Sequence, residues 1–190
     1  MKLAPQEVRH AEHEGKFARF VERIGSWDVW KTKRIFTPNQ IRRMRPVEFT
    51  AELAILILEG PQDKKKAVDL YYKQFMKSFP DEKAVEKRIR GYFDWINNAI
   101  PALQNSRFRK PVDLYSLFGA LELVTKEGSR LKSLNAEAAG QALEAFDRST
   151  RSKNPTGSAS RYLAAASRQT DNINPRNTRI EILTKILGEA

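Results

Sequence analysis

The sequence predicts an all-α protein, a compact multi-helix bundle of about seven to nine helices joined by short connections. Three observations carry that expectation. Apolar residues recur at helical spacing in nearly every segment. Helix start and stop signals punctuate the chain at regular intervals. No segment sustains the period-two alternation of a half-buried strand.

Taken in order, Met1 and Lys2 lead into a polar helix rather than the apolar core of a signal peptide. Thr37, Pro38 and Gln40 have the form of a capping box, with Pro38 at the first helical position and Gln40 reaching back. Residues 46–59 place Val47, Phe49, Leu53 and the apolar run ending at Leu58 almost all round the helix, the pattern of a central, buried rod. Gly60 and Pro61 end it, as a C-cap glycine followed by a proline should. Over residues 63–79, Val68, Tyr71, Tyr72, Phe75, Met76 and Phe79 form one stripe; over 81–100, Val85, Ile89, Tyr92, Phe93, Ile96 and Ile100 form another. A helix starting near Pro111 carries Leu114, Leu117, Phe118, Leu121 and Val124, and stops near Gly128. Asn135 caps the next, whose inward positions are Ala139, Leu143 and Phe146. Residues 148–160, rich in Ser, Thr, Asn, Pro and Gly, read as a mobile loop. A short helix with Tyr162 and Leu163 follows, and Asn174 and Pro175 open a terminal helix burying Ile180, Leu183 and Leu187. These divisions make one helical domain over 1–190: a main bundle over 1–147, a flexible loop over 148–160, and C-terminal helices over 161–190 that pack back.

Composition bounds the function. The 190 residues are 41% hydrophobic, enough for a sizeable core. There is no cysteine, which excludes disulfides and thiolate metal sites. No apolar run approaches the roughly 18 residues of a membrane span, and a cytoplasmic location is expected. The charge is +11, and residues 61–110 carry 12 Lys and Arg against 6 Asp and Glu. A basic field of this size favours nucleic acid without specifying sequence.

Motifs for catalysis are missing. There is no glycine-rich phosphate loop, no His-Glu-x-x-His pair and no Gly-x-Ser-x-Gly elbow. His10 and His13 share a helix face with Glu14, a pattern more often met as polar surface than as a metal site. Glu48 and Glu52 are four apart on a helix and read as partners for a cation rather than as a general base. No catalytic residue, metal or cofactor is assigned, and the chain alone is not expected to be an enzyme.

Basic clusters are better supported. Lys31, Lys33, Arg34, Arg42, Arg43 and Arg45 occupy a run with no acid between Asp28 and Glu48. Arg42 and Arg43 also complement the dipole at a helix end. Arg107, Phe108, Arg109 and Lys110 form a turn with an aromatic among cations, suited to phosphate contact and stacking; Phe108 serves equally as a plug into the bundle. Arg148, Arg151 and Lys153 stand at the loop. Lys64, Lys65 and Lys66 occupy a first helical turn, where cations oppose the dipole; the placement points to an acidic partner, although an exposed lysine run is usually solvated. Trp27, Trp30, Phe36 and Trp95 read first as core anchors and only second as ligand platforms.

Five stretches, in this order, resemble the helical C-terminal region of the ParB-like proteins of GmrSD-type restriction systems. They are Gln6, Glu7, Val8, Arg9, His10 and Ala11 with Gly15, Lys16 and Phe17; Arg43 and Met44 leading to Glu48 and Phe49; Tyr71 and Tyr72 after a lysine run; Phe108, Arg109, Lys110 and Pro111 before Leu114; and residues 177–183. Gln6 and Arg9 fall on that family's junction motif. The resemblance implies a ParB-like catalytic half preceding these helices, with Asp-Gly-Gln-Gln-Arg-type and Phe-x-x-x-Asn-x-x-Gly-type motifs that find no match here. It implies a role in anti-phage, modification-dependent restriction, with DNA and that half or a partner subunit as partners. Two other readings stand beside it: a stand-alone nucleic-acid-binding helical module, and a protein-interaction scaffold.

Overall fold

The computed structural model describes Gln6 and residues 14–190, apart from the side chains of Lys65 and Lys66. The protein is an all-α multi-helix bundle, with ten helices and no strand among the described residues. None of these helices is long and apolar enough to cross a membrane. The chain divides into two compact units, one ending at Lys87 and the other starting at Arg88. That division falls inside a helix, whereas composition placed the internal boundary at the loop over 148–160.

In the first unit, α1 (Lys16–Gly25) is followed by two short helices, α2 (Val29–Thr32) and α3 (Pro38–Arg42), then by α4 (Arg45–Glu59) and α5 (Lys64–Gln74). The capping box forms as expected. Gln40 N donates to Thr37 Oγ1 at 3.3 Å, and Thr37 N donates to Gln40 Oε1 at 2.9 Å. Met44, in the left-handed region at φ 55°, turns the chain from α3 into α4. Residues 46–57 of α4 are all buried, so the all-round apolar pattern does mark the central rod. The aromatics of α1 and α5 close over one another: Phe17 meets Tyr72 edge-on at 5.3 Å and Phe79 at 5.3 Å. Trp30, Phe36 and Phe49 make a second cluster with centroids 5.8–5.9 Å apart, and Trp30 Nε1 donates to the Ile24 carbonyl. These tryptophan and phenylalanine side chains are core anchors.

Two carboxylates, Glu48 and Glu52, are buried on α4. Burying them without partners would cost several kcal/mol each. Lys64 supplies the charge: its Nζ lies 2.9 Å from Glu52 and 3.5 Å from Glu48, while Arg45 also pairs with Glu48. The acidic partner that a first-turn lysine called for is therefore internal, and it docks the start of α5 against α4.

The second unit holds the larger part of α6 (Glu82–Ala99), two 3-10 turns (Leu103–Asn105 and Arg107–Arg109), α7 (Pro111–Val124), a third turn (Leu131–Ser133), α8 (Ala136–Thr150), α9 (Gly157–Ala165) and α10 (Ile173–Gly188). Asn135 caps α8, its Oδ1 accepting from Glu137 N and Ala138 N. The most extensive packing in this unit is α10 against α7, with α9 and α8 also against α10. The loop expected over 148–160 is shorter, because α8 runs to Thr150 and α9 begins at Gly157. Buried Ala159 and Tyr162 hold that serine-rich stretch in a helix despite its composition.

Removing the Lys64 charge takes a shared cation from two buried carboxylates, leaving Glu48 its pair with Arg45. Lys64→Ala is expected to lower unfolding free energy by about 3 kcal/mol in a urea titration. Adding Glu52→Gln to that variant should recover part of the loss.

Candidate nucleic-acid interface

In the first unit the six expected cations lie on and around α2 and α3. Lys31 and Arg42 are exposed, and Lys33 and Arg43 are half-buried. Arg34 is exposed and sits in the left-handed region at φ 54°, where the chain leaves α2. Arg42 makes only a long 3.4 Å bond to Asn39 Oδ1. Arg45 is the exception, since its guanidinium is engaged by Glu48. The outward-facing charge of this run therefore rests chiefly on Lys31, Arg34 and Arg42, with Trp27 half-buried beside them in sequence.

In the second unit the expected cations separate. Lys110 and Lys153 are exposed and Arg109 is half-buried. Arg148 is exposed but pairs with Glu144 at 2.7 Å. Arg151 donates to both oxygens of Asp147, at 3.0 and 2.6 Å, and to the Asn105 carbonyl. Arg107 is a correction to its reading as a surface cation: it is 8% exposed, pairs with Asp113 at 3.1 Å and lies over the Tyr162 ring at 4.7 Å. Phe108 is buried, as a plug into the bundle would be.

Two cations of α10 that composition does not mark, Arg176 and Arg179, are 3% and 1% exposed. Arg179 Nε donates to Ser116 Oγ, and its two terminal nitrogens donate to the Ala165 and Thr170 carbonyls. It thereby caps the C-terminal end of α9 with positive charge, where the helix dipole favours it. Burial pulls its guanidinium below the ordinary arginine range. Arg176 stacks over Tyr115 at 4.0 Å and approaches Asp171 at 3.9 Å. A signal for both was present: Arg176 and Arg179 share the stripe of Ile180, Leu183 and Leu187. The same unit holds a bidentate pair in which Arg88 donates to both oxygens of Glu122, at 3.2 and 2.9 Å. Burial nevertheless pushes the Glu122 carboxyl up to about 7, outweighing the attraction of Arg88.

Gln6, which the sequence resemblance singles out, is buried and donates from Nε2 to Tyr72 Oη at 2.8 Å. Arg9, His10 and His13 lie outside the described residues. No group of three or more metal-ligating side chains occurs among the described residues. Compared with known proteins, the chain matches no protein-family profile, no curated protein and no solved structure.

Glu122 gives the unit a pH dependence of definite sign. Its folded value of about 7 lies above its ordinary 4.5. Between those values the folded chain keeps a proton that the unfolded chain releases, so stability falls as pH rises through this window. The slope from this one group is at most about 1.4 kcal/mol per pH unit. Urea unfolding of wild type and Glu122→Gln from pH 4.5 to 7 should show the slope in the first and its loss in the second.

Proposed function

We propose that this chain is the helical lobe of a ParB-like, GmrSD-type anti-phage or modification-dependent restriction protein, supporting a catalytic half and offering a basic surface to DNA. Five sequence elements in family order support the system. The observation that carries the DNA-facing role is the exposure of Lys31, Arg34 and Arg42 in a run free of acids from residue 29 to residue 47. Arg42 stands on the helix that the Thr37 capping box opens, and Lys31 stands on α2. Cations held on ordered elements lose little freedom when they meet phosphate, and each phosphate contact releases counterions.

The contacts expected from this surface are with the DNA backbone, which sets affinity and position but reads no bases. Arg107 and Arg179 serve the interior instead, so their charges add to the field of the lobe without touching a strand.

A salt titration of duplex binding over about 50–200 mM tests this directly. The triple variant Lys31→Ala, Arg34→Ala and Arg42→Ala should bind more weakly, with a log–log salt slope shallower by about 3. A binding curve flat in salt, or a triple variant that binds as wild type does, contradicts the basic surface. Failure of the lobe to co-purify with a ParB-like half carrying the two missing motifs contradicts the supporting role.

A further inference from the structure

In the second unit, a cleft of about 540 Å³ opens between the C-terminal end of α6, the turn at Leu103–Asn105 and one face of α8. That volume suits a small ligand. Its apolar floor comes from Ala99, Ile100, Pro101 and Ala102. Gly140 lets α8 close down on it: a Cβ at this position would stand 2.1 Å from the Ala99 carbonyl oxygen, so no other residue fits.

The polar groups of the cleft point to one ligand chemistry. Pro101 has no N–H, so the Asn97 carbonyl loses the donor that would continue α6. Among the described residues no backbone N–H reaches the Asn97 or Asn98 carbonyl beyond that point. The end of an 18-residue helix thus keeps open acceptors at the negative pole of its dipole. Glu137, Asn98 and Gln141 add a carboxylate and two amides whose side chains make no hydrogen bond among the described residues. Two arginines also line the cleft, but Glu144 and Asp147 already engage them. With three acids against two arginines, the lining carries a formal charge of −1 in a chain of +11. An anion or a nucleotide phosphate meets no uncommitted cation here.

We propose that this cleft is a binding site for a small organic cation, an amine or guanidinium on a short aliphatic stem. The cationic head takes the Glu137 carboxylate, the two amide oxygens and the open Asn98 carbonyl at the end of α6, and the stem lies on the floor formed by Ile100 and Pro101. The same head and stem occur on a free diamine and on a lysine or arginine side chain of a partner, and the probes separate the two sources.

The experiment follows the side-chain amide NMR signals of Asn98 and Gln141 in the full chain during titration with agmatine, with putrescine, and with a short arginine-containing peptide blocked at both ends. Butylurea is the uncharged control. Saturable shifts with agmatine or putrescine, at a Kd of about 1 mM or tighter, and none with butylurea are the expected result. Glu137→Gln, at an exposed site, should weaken binding about fivefold while leaving the thermal melt unchanged. Tighter binding of the peptide than of agmatine assigns the site to a partner side chain, and the reverse assigns it to a free cation. Shifts equal for butylurea and agmatine, shifts unaffected by Glu137→Gln, or none with any cation overturn the proposal. No nucleic acid enters this measurement, so its outcome is independent of the DNA-facing role.

Discussion

Each unit depends on how it pays for burying charge. Taking an ion out of water costs several kcal/mol, and only a partner with good geometry offsets that. In the first unit the partner of Glu48 and Glu52 on the central helix is Lys64 at the start of α5. In the second, Asp113 on α7 faces Arg107 from the preceding turn, and Glu122 near the end of α7 faces Arg88 from α6. Arg179 of α10 donates to neutral acceptors, at Ser116, at the last carbonyl of α9 and at the Thr170 carbonyl beyond it. All of these bonds but the one to Thr170 join two different elements. Apolar packing decides which helix faces turn inward; the buried charges decide in which register the helices meet.

This division sorts the positive charge into two kinds. Arg107, Arg176 and Arg179 belong to the interior, where an ion pair, a tyrosine ring face and neutral oxygens respectively receive their guanidinium groups. Lys31, Arg34, Arg42, Lys110 and Lys153 face outward. Net charge alone does not separate these kinds, and only the second can meet a phosphate. Under the proposed role, contacts from these outward cations would fall on the DNA backbone, which carries no base identity.

Much of the fold was legible because its signals are local. Thr37 and Asn135 cap their helices through bonds spanning two or three residues, and Gly60 ends α4 at φ 74°. The all-round apolar pattern of α4 translated directly into burial. What escaped was set by distant partners. Arg107 looks like its neighbours Arg109 and Lys110 until Asp113 and Tyr162 close around it. The lysine run at α5 signalled an acid but not which one, since Glu52 lies twelve residues earlier on another helix. The serine-rich stretch after Thr150 reads as loop by composition alone, whereas its helical part from Gly157 is set by the buried anchors Ala159 and Tyr162. The cleft beside α8 was invisible for the same reason: Gly140, Pro101 and Glu137 signify nothing until α6 ends where it does.

The sorting of arginines into interior and surface is most directly tested by the Nε–Hε signals of the guanidinium groups. Nε–Hε protons of Arg107 and Arg179 are expected to exchange slowly with water, and to keep their shifts when salt or duplex is added. Those of Arg34 and Arg42 should exchange fast and respond to both. Fast, salt-sensitive exchange at Arg107 and Arg179 would contradict the account at its base, because the charges said to set the helix registers would then be lying in solvent.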